Sequence, residues 1–141
     1  MSAALLAIAA AAGTLVVDVT NVRNAEGVVH IDVCTQDIFL KDDCRYVASA
    51  PAKVGTTSVT VHGLPAGAYA IQAYHDENRN DKVDRNFLGM PKEGIGFSRD
   101  AKIRLGPPKW DEAMFVFDGH SLRTTLKLKY FLGRSGPPEA R

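Results

Sequence analysis

Oxygen-bearing side chains occupy alternate positions in the segment HDENRNDKVD, residues 75–84. Four of them supply carboxylate or amide oxygens, and a backbone carbonyl extends the series: Asp76, Asn78, Asn80 and Asp84, with the carbonyl of Lys82. Alternate residues of a tight loop turn their oxygens inward, which is how such a loop wraps a hard cation. The spacing therefore predicts a Ca²⁺ loop at residues 76–84.

Two positions differ from an ideal calcium loop. Asp81 stands where the sharp turn favours Gly, and Phe87 stands where a bidentate Glu would complete the ligand shell. Residues 76–85 carry four acidic and three basic side chains, so their net charge is −1, and we expect a weak dissociation constant of roughly 10⁻⁴ to 10⁻³ M. Glu93 is a candidate for one further ligand.

The same loop has a second interpretation that needs no cation. Asp and Asn side chains often bond to the backbone two residues further on, and such Asx turns build connections between strands. Both interpretations are open from the residues alone.

The segment after this loop, residues 86–101, is too long and too apolar for a plain connection. Its large apolar side chains would be costly in water: Phe87, Leu88, Met90, Ile95 and Phe97. We expect them either to fold back over a sheet edge or to line a recognition surface.

The sequence offers no recognisable group of residues for nucleophilic or acid–base catalysis. Ser98 lies outside a G-x-S-x-G elbow. The histidines lack paired spacing and are interpreted as surface residues: His30, His62, His75 and His120. These patterns favour a binding or structural module over an enzyme.

Period-two alternation of apolar residues predicts the strands that must hold these segments. The predicted inward residues are Leu15, Val17 and Val19; Val29, Ile31 and Val33; Val59 and Val61; Tyr69, Ile71 and Ala73; Ile103 and Leu105; and Leu126, Leu128 and Tyr130. The apolar run Met114 to Phe117 supplies a further strand. Ala70, Gln72 and Tyr74 should then face outward or toward the edge of the other sheet. Helical periodicity is confined to the first residues and a turn at 110–113, so we predict an all-β fold, an antiparallel β-sandwich of about seven strands.

The first residues, MSAALLAIAAAAG, are uncharged and apolar over a length that suits a signal peptide and is too short to span a bilayer. We predict a signal peptide at 1–12, a β-sandwich domain at 13–130 and a flexible Gly/Pro-rich tail at 131–141. No basic residue precedes Leu5, and a buried Ala-rich helix is the alternative. Export would place the protein in the periplasm or outside the cell.

Cys34 and Cys44 lie on either side of a short excursion. In an oxidising compartment this spacing predicts a disulfide, whereas a cytosolic location would favour two free thiols. The chain has 17 basic and 16 acidic residues without a basic block, which argues against nucleic-acid and membrane-surface partners.

Three segments together resemble a known bacterial family: GLPAGAYAIQAYHDEN, NDKVDRNFLGMPKEGIGFS and TLKLKY. The chain resembles the domain of unknown function 2141 (DUF2141) family over nearly all of residues 14–130. The family pattern has Gly where this chain has Asp81.

This resemblance implies an exported β-sandwich of the prealbumin-like or immunoglobulin-like type, with no established activity. The implied sandwich is similar to surface-protein B-repeats and carboxypeptidase accessory domains, in which Asp/Asn loops bind calcium. By position, the implied ligands are again Asp76, Asn78, Asn80 and Asp84.

The expected function is that of an envelope module that binds a protein or a glycan, with Ca²⁺ as the only candidate cofactor. The alternative is a prealbumin-like hydrolase of the 5-hydroxyisourate type. Those enzymes end in Tyr-Arg-Gly-Ser and use active-site histidines, whereas this chain has YFLGRSG and lacks that histidine pattern.

Overall fold

Strands dominate the computed structural model, which describes residues 12–41, 44–79 and 93–137. Within these ranges the chain forms eight strands, one short helix and two 3₁₀ turns. Their bounds are β1 (Ala12–Val22), β2 (Val28–Cys34), β3 (Tyr46–Pro51), β4 (Gly55–Pro65), β5 (Gly67–Asp76), β6 (Ile95–Phe97), β7 (Phe115–Phe117), β8 (Ser121–Lys127), α1 (Trp110–Ala113), and turns at Gln36–Ile38 and Ser98–Asp100.

The strands form two sheets. The first has the order β4-β1-β8, and the second has the order β3-β2-β5-β6, with β7 pairing to the start of β5. All of these strand pairs are antiparallel except one. The exception is the pair β1 and β8, which run parallel from Thr14↔Ser121 to Thr20↔Lys127. The predicted all-β sandwich is therefore confirmed, with one parallel pair that alternation does not reveal.

The space between the sheets is filled by the inward residues that alternation predicts. Leu15, Val17 and Val19 of β1 are completely buried, as are Val29, Ile31 and Val33 of β2. Val59 and Val61 of β4 and Leu126 and Leu128 near the end of the chain pack into the same cluster. Burial of these side chains supplies the main favourable term for folding.

Strand β5 is buried on both faces. Tyr69, Ile71 and Ala73 lie in the main core, as predicted. Ala70 and Tyr74 were expected to face outward, and they do lie on the opposite face, but they are 0% and 7% exposed. That outer face is covered in part by a second apolar cluster, made of Cys34, Phe39, Ala70, Phe97 and Ala113.

The predicted disulfide is confirmed. Cys34 and Cys44 are bonded, with their Cα atoms 5.0 Å apart. The bond ties the turn at Gln36–Ile38 back to the end of β2. It thereby holds Phe39 against Phe97 and Trp110, whose rings meet it edge-on.

One predicted strand is wrong. Residues 101–105 form no strand, Ile103 is only half-buried, and Leu105 is fully exposed. Arg99 and Asp100 have positive φ values of 59° and 49°, so the chain turns away from the sheet before the alternating residues. The side chain of Asp100 instead accepts a hydrogen bond from the backbone N–H of Lys127, at 2.8 Å, on the free edge of β8.

The two sheets meet where β6 passes the end of β8. Ile95 and Lys129 exchange two backbone hydrogen bonds, at 3.0 and 2.8 Å.

Of the predicted apolar loop, Ile95 is half-buried and Phe97 is buried, while Phe87, Leu88 and Met90 lie outside the described residues. No helix in the described ranges has the length and hydropathy needed to cross a bilayer.

Candidate functional site

The end of β5 places three polar side chains at one end of the sandwich. His75 points to the inner side of the sheet and Asp76 to the outer side, and both are completely buried. Glu77 follows immediately and is partly exposed. Buried polar groups require hydrogen-bond partners, so the neighbours of these residues define the site.

The imidazole of His75 bonds to protein groups through both nitrogens. Nε2 lies 2.7 Å from the carbonyl oxygen of Glu26, which can only accept, so Nε2 carries the proton and donates it. Nδ1 is then the acceptor, and it receives the hydroxyl of Tyr130 at 2.9 Å. The Tyr130 oxygen in turn accepts the backbone N–H of Arg23 at 3.1 Å. One chain of hydrogen bonds thus joins β5 to the turn after β1 and to the segment after β8.

Tyr130 is held in its protonated form. Burial raises the pKa of its phenol to about 12; the Arg23 N–H and guanidinium oppose this shift and the Glu77 carboxylate adds to it. A protonated phenol is the form that can donate to His75, so the burial of Tyr130 supports the direction of the hydrogen-bond chain.

Glu77 anchors the outer part of the site. One carboxylate oxygen accepts from Nε of Arg23 at 3.1 Å and makes a second, shorter contact with the same guanidinium. The other accepts from the side-chain amide of Asn24 at 2.8 Å. Burial pushes the pKa of Glu77 upward, but the hydrogen bonds from Asn24 and Arg23 outweigh it and hold the pKa below its ordinary value.

Arg23 connects this site to the end of the described chain. Its guanidinium lies 4.4 Å from the centre of the Tyr130 ring, in cation–π geometry. One terminal nitrogen donates to the carbonyl oxygens of Leu132, at 2.6 Å, and Arg134, at 3.2 Å. Arg23 therefore fixes residues 132–134 beside β1.

Glu93 returns the chain to the end of β5. This residue is 4% exposed, and its carboxylate accepts the backbone N–H of Glu77 at 2.6 Å. The next residue, Gly94, accepts the N–H of His75 at 2.9 Å. Asp76 and Glu93 are therefore two buried carboxylates at the two ends of the segment 77–92.

Two glycines allow the close packing of this site. Gly27 has a φ of +68°, and a Cβ there would lie 1.9 Å from the carbonyl oxygen of Asp76. A Cβ at Gly94 would lie 2.6 Å from the Tyr130 ring. Side chains at these positions would displace β5 or Tyr130.

The predicted cation ligands fall in three places. Asp76 is buried at the end of β5, and Asn78 is exposed in the turn that follows. Asn80, Lys82 and Asp84 lie outside the described residues. Within the ranges that the structure describes, no three His, Cys, Asp or Glu side chains are grouped for a metal ion, and the calcium loop stays a prediction.

The sequence interpretation missed several members of this site. His75 was interpreted as a surface residue and is wrong in that respect, since it is 0% exposed. Arg23 and Asn24 gave no signal, because their partner Glu77 is far away in the sequence. Tyr130 was predicted to face inward by its alternation with Leu126 and Leu128, and that signal was correct.

The fold and the site define a class: a disulfide-bonded β-sandwich domain whose end is fixed by a buried polar network. Residues 17–125 match the family model described as "Uncharacterized protein conserved in bacteria (DUF2141)". This match covers more than half of the chain, and the chain belongs to that family. Comparisons with curated proteins and with solved structures find no match.

Proposed function

We propose that this chain is a non-enzymatic module exported to the periplasm or beyond, which binds an envelope or extracellular protein or glycan. A weakly held Ca²⁺ at the end of β5 fixes its binding loop. The observation that carries the proposal is the burial of Asp76 and Glu93 at the two ends of residues 77–92.

The residues Asp76 and Glu93, which precede and follow the proposed loop, supply carboxylate oxygens of the kind that Ca²⁺ prefers. Glu93 already receives the Glu77 N–H, and this bond sets the carboxylate beside the start of the loop. Ca²⁺ is coordinated by six to eight oxygen atoms from carboxylates, amides and carbonyls. The proposed ligands are Asp76, Asn78 and Glu93, together with Asn80, the Lys82 carbonyl and Asp84.

The disulfide supports export. Disulfides persist in oxidising compartments and are rare in the reducing cytosol. The Cys34–Cys44 bond holds a turn that carries part of the second apolar cluster, so its loss would loosen the outer face of β5.

The hydrogen bonding of His75 and Ser98 supports a role in binding over one in catalysis. Both ring nitrogens of His75 are occupied by Tyr130 and Glu26. The hydroxyl of Ser98 donates to the carbonyl of Ala113 at 2.5 Å and accepts the N–H of Ile71 at 2.9 Å. Neither side chain is presented to a substrate. The rival hypothesis, a hydrolase of the 5-hydroxyisourate type, predicts turnover of that substrate by the purified protein.

Thermal unfolding with and without Ca²⁺ tests the cation. A ligand present at ten times its dissociation constant and bound only by the native state adds about 1.4 kcal/mol of stability. We expect about 10 mM Ca²⁺ to raise the melting temperature by a few degrees, and Mg²⁺ to do less because it dehydrates reluctantly.

Matched variants identify the ligands. Asp76→Asn and the exposed Asn78→Ala should each remove most of the calcium response. Asp111→Asn, an exposed carboxylate in α1, should leave the response unchanged. A wild-type melting curve that does not move with Ca²⁺ would leave the Asx-turn interpretation and make the loop a scaffold.

Fractionation tests the location. With the full chain expressed in a bacterial host, we expect it in the periplasm or medium with no thiol open to alkylation. Reduced protein found only in the cytosol would contradict export.

A further inference from the structure

A cleft of about 490 Å³ opens where β6, the chain after it and the segment following β8 meet. Its volume falls within the range of small-molecule sites, roughly 300 to 1,000 Å³. This cleft is formed by described residues and does not depend on the proposed calcium loop.

The inner part of the cleft is apolar. Leu128 and Phe97 are 0% and 7% exposed, and Ile95 and Ile103 beside them are half-buried. Ile103 lies in the segment 101–105, which no strand covers, so part of its side chain faces solvent. Partly exposed aliphatic groups in a concave surface favour binding of an apolar chain.

The residues lining the cleft carry an excess of positive charge. Four of them are basic: Lys102, Arg104, Lys127 and Lys129. None of the four forms an ion pair with another described residue. The acidic residue of the lining, Asp100, already accepts the N–H of Lys127. Like charges gathered around a concave, partly apolar surface raise the local concentration of anions.

We propose that this cleft binds a single-chain anionic amphiphile, with a carboxylate or phosphate headgroup near the basic side chains and an acyl chain against the accessible parts of Ile95 and Ile103. The apolar inner surface distinguishes this ligand from an inorganic anion, which would use only the charges. A cleft of about 490 Å³ has room for a single short chain, whereas an acidic peptide binds over an extended surface.

Isothermal titration of the full chain tests the proposal, with every amphiphile below its critical micelle concentration. Decanoate and decyl phosphate supply the two headgroups. Decanol and decyltrimethylammonium keep the chain without the negative charge. Inorganic phosphate keeps the charge without the chain, and a glutamate-rich peptide represents the macromolecular alternative.

We expect decanoate and decyl phosphate to bind at one site, and the neutral and cationic analogues to bind at least about tenfold more weakly. The double variant Lys102→Gln/Arg104→Gln should weaken binding of the anionic compounds about tenfold. Ile103→Ala should weaken binding of the same anionic compounds, because it removes contacts with their decyl chain and leaves the charges unchanged. Lys41→Gln/Lys53→Gln, which removes two exposed cations elsewhere, is the matched control and should bind like the wild type.

Three outcomes would overturn the proposal. The first is no binding of either anionic decyl compound to the folded wild-type protein. The second is equal affinity for inorganic phosphate and decyl phosphate, which would show that the apolar surface contributes nothing. The third is tighter binding of the glutamate-rich peptide. Because no arm uses calcium, failure here is separable from failure of the proposed function.

Discussion

The hydroxyl of Tyr130 donates to Nδ1 of His75 across 2.9 Å, inside the end of the sandwich. The same oxygen accepts the N–H of Arg23, so one phenol satisfies two buried partners. An acceptor and a donor from distant parts of the chain therefore depend on a single side-chain atom.

Removal of that atom should destabilise the fold. Tyr130→Phe keeps the ring but removes the hydrogen bonds to His75 Nδ1 and from the Arg23 N–H, and the loss of a partner at a buried group costs about 1–3 kcal/mol. We expect a loss of about 2–4 kcal/mol in the free energy of unfolding, measured by urea denaturation. Tyr46→Phe is the control, since its ring packs edge-on against Tyr69, and it should change stability by less than about 0.5 kcal/mol.

Glu77 should make stability depend on acidity. Its folded-state pKa lies below its ordinary value of 4.5, so as the pH falls the unfolded chain takes up the proton first. The stability that ionised Glu77 contributes is present above about pH 4.5 and is lost as the pH falls through the folded-state pKa. Glu77→Gln should be less stable than the wild type at pH 7, and the difference should shrink toward pH 3.

Loss of the disulfide should cost about 2–3 kcal/mol, because the bond closes a short loop. Cys34→Ala/Cys44→Ala tests this by denaturant unfolding. A reducing agent should lower the stability of the wild type by a similar amount and leave the double variant unchanged. An unchanged wild type under full reduction would contradict a stabilising role for the bond.

Gly27 and Gly63 form a matched pair for measuring the packing beneath Asp76. Both have positive φ, 68° and 70°, but a Cβ at Gly63 would meet nothing within 4 Å. Gly63→Ala should therefore cost only the left-handed backbone penalty of about 1–2 kcal/mol. Gly27→Ala adds a clash with the Asp76 carbonyl, and we expect it to lose at least about 2 kcal/mol more or fail to fold. Equal losses of stability in the two variants would show that β5 moves to accommodate the added methyl group without a measurable loss of stability.

The sequence was sufficient for the strands that lie half-buried, because burial on one face imposes a period of two. The inward parity of Leu15, Val17 and Val19 follows directly from that rule. Ile103 and Leu105 alternate in the same way and form no strand, because the turn at Arg99 and Asp100 removes them from any partner. Alternation shows which residues could share a face and does not show whether a neighbouring strand is present.

The site was harder to predict for a related reason. β5 is buried on both faces, so His75 and Asp76 carry no alternation signal that separates buried from exposed. The partners of His75 come from distant segments of the chain, and Arg23 and Glu77 follow strands of different sheets. Spacing predicts Asp76 and Asn78 as candidate ligands, and their binding of a cation stays a prediction.

The parallel pairing of β1 with β8 also governs how the protein can fold. β1 is the central strand of its sheet, and its second neighbour is the last of the strands that the structure describes. Contacts between segments so distant in sequence close slowly, because the intervening chain must be ordered first. During synthesis, β1 would stay unpaired along one edge until β8 emerged. The sandwich would then be completed late and cooperatively. Cleavage of the chain between β7 and β8 should therefore abolish folding of the whole first sheet, and not only remove one strand from that sheet.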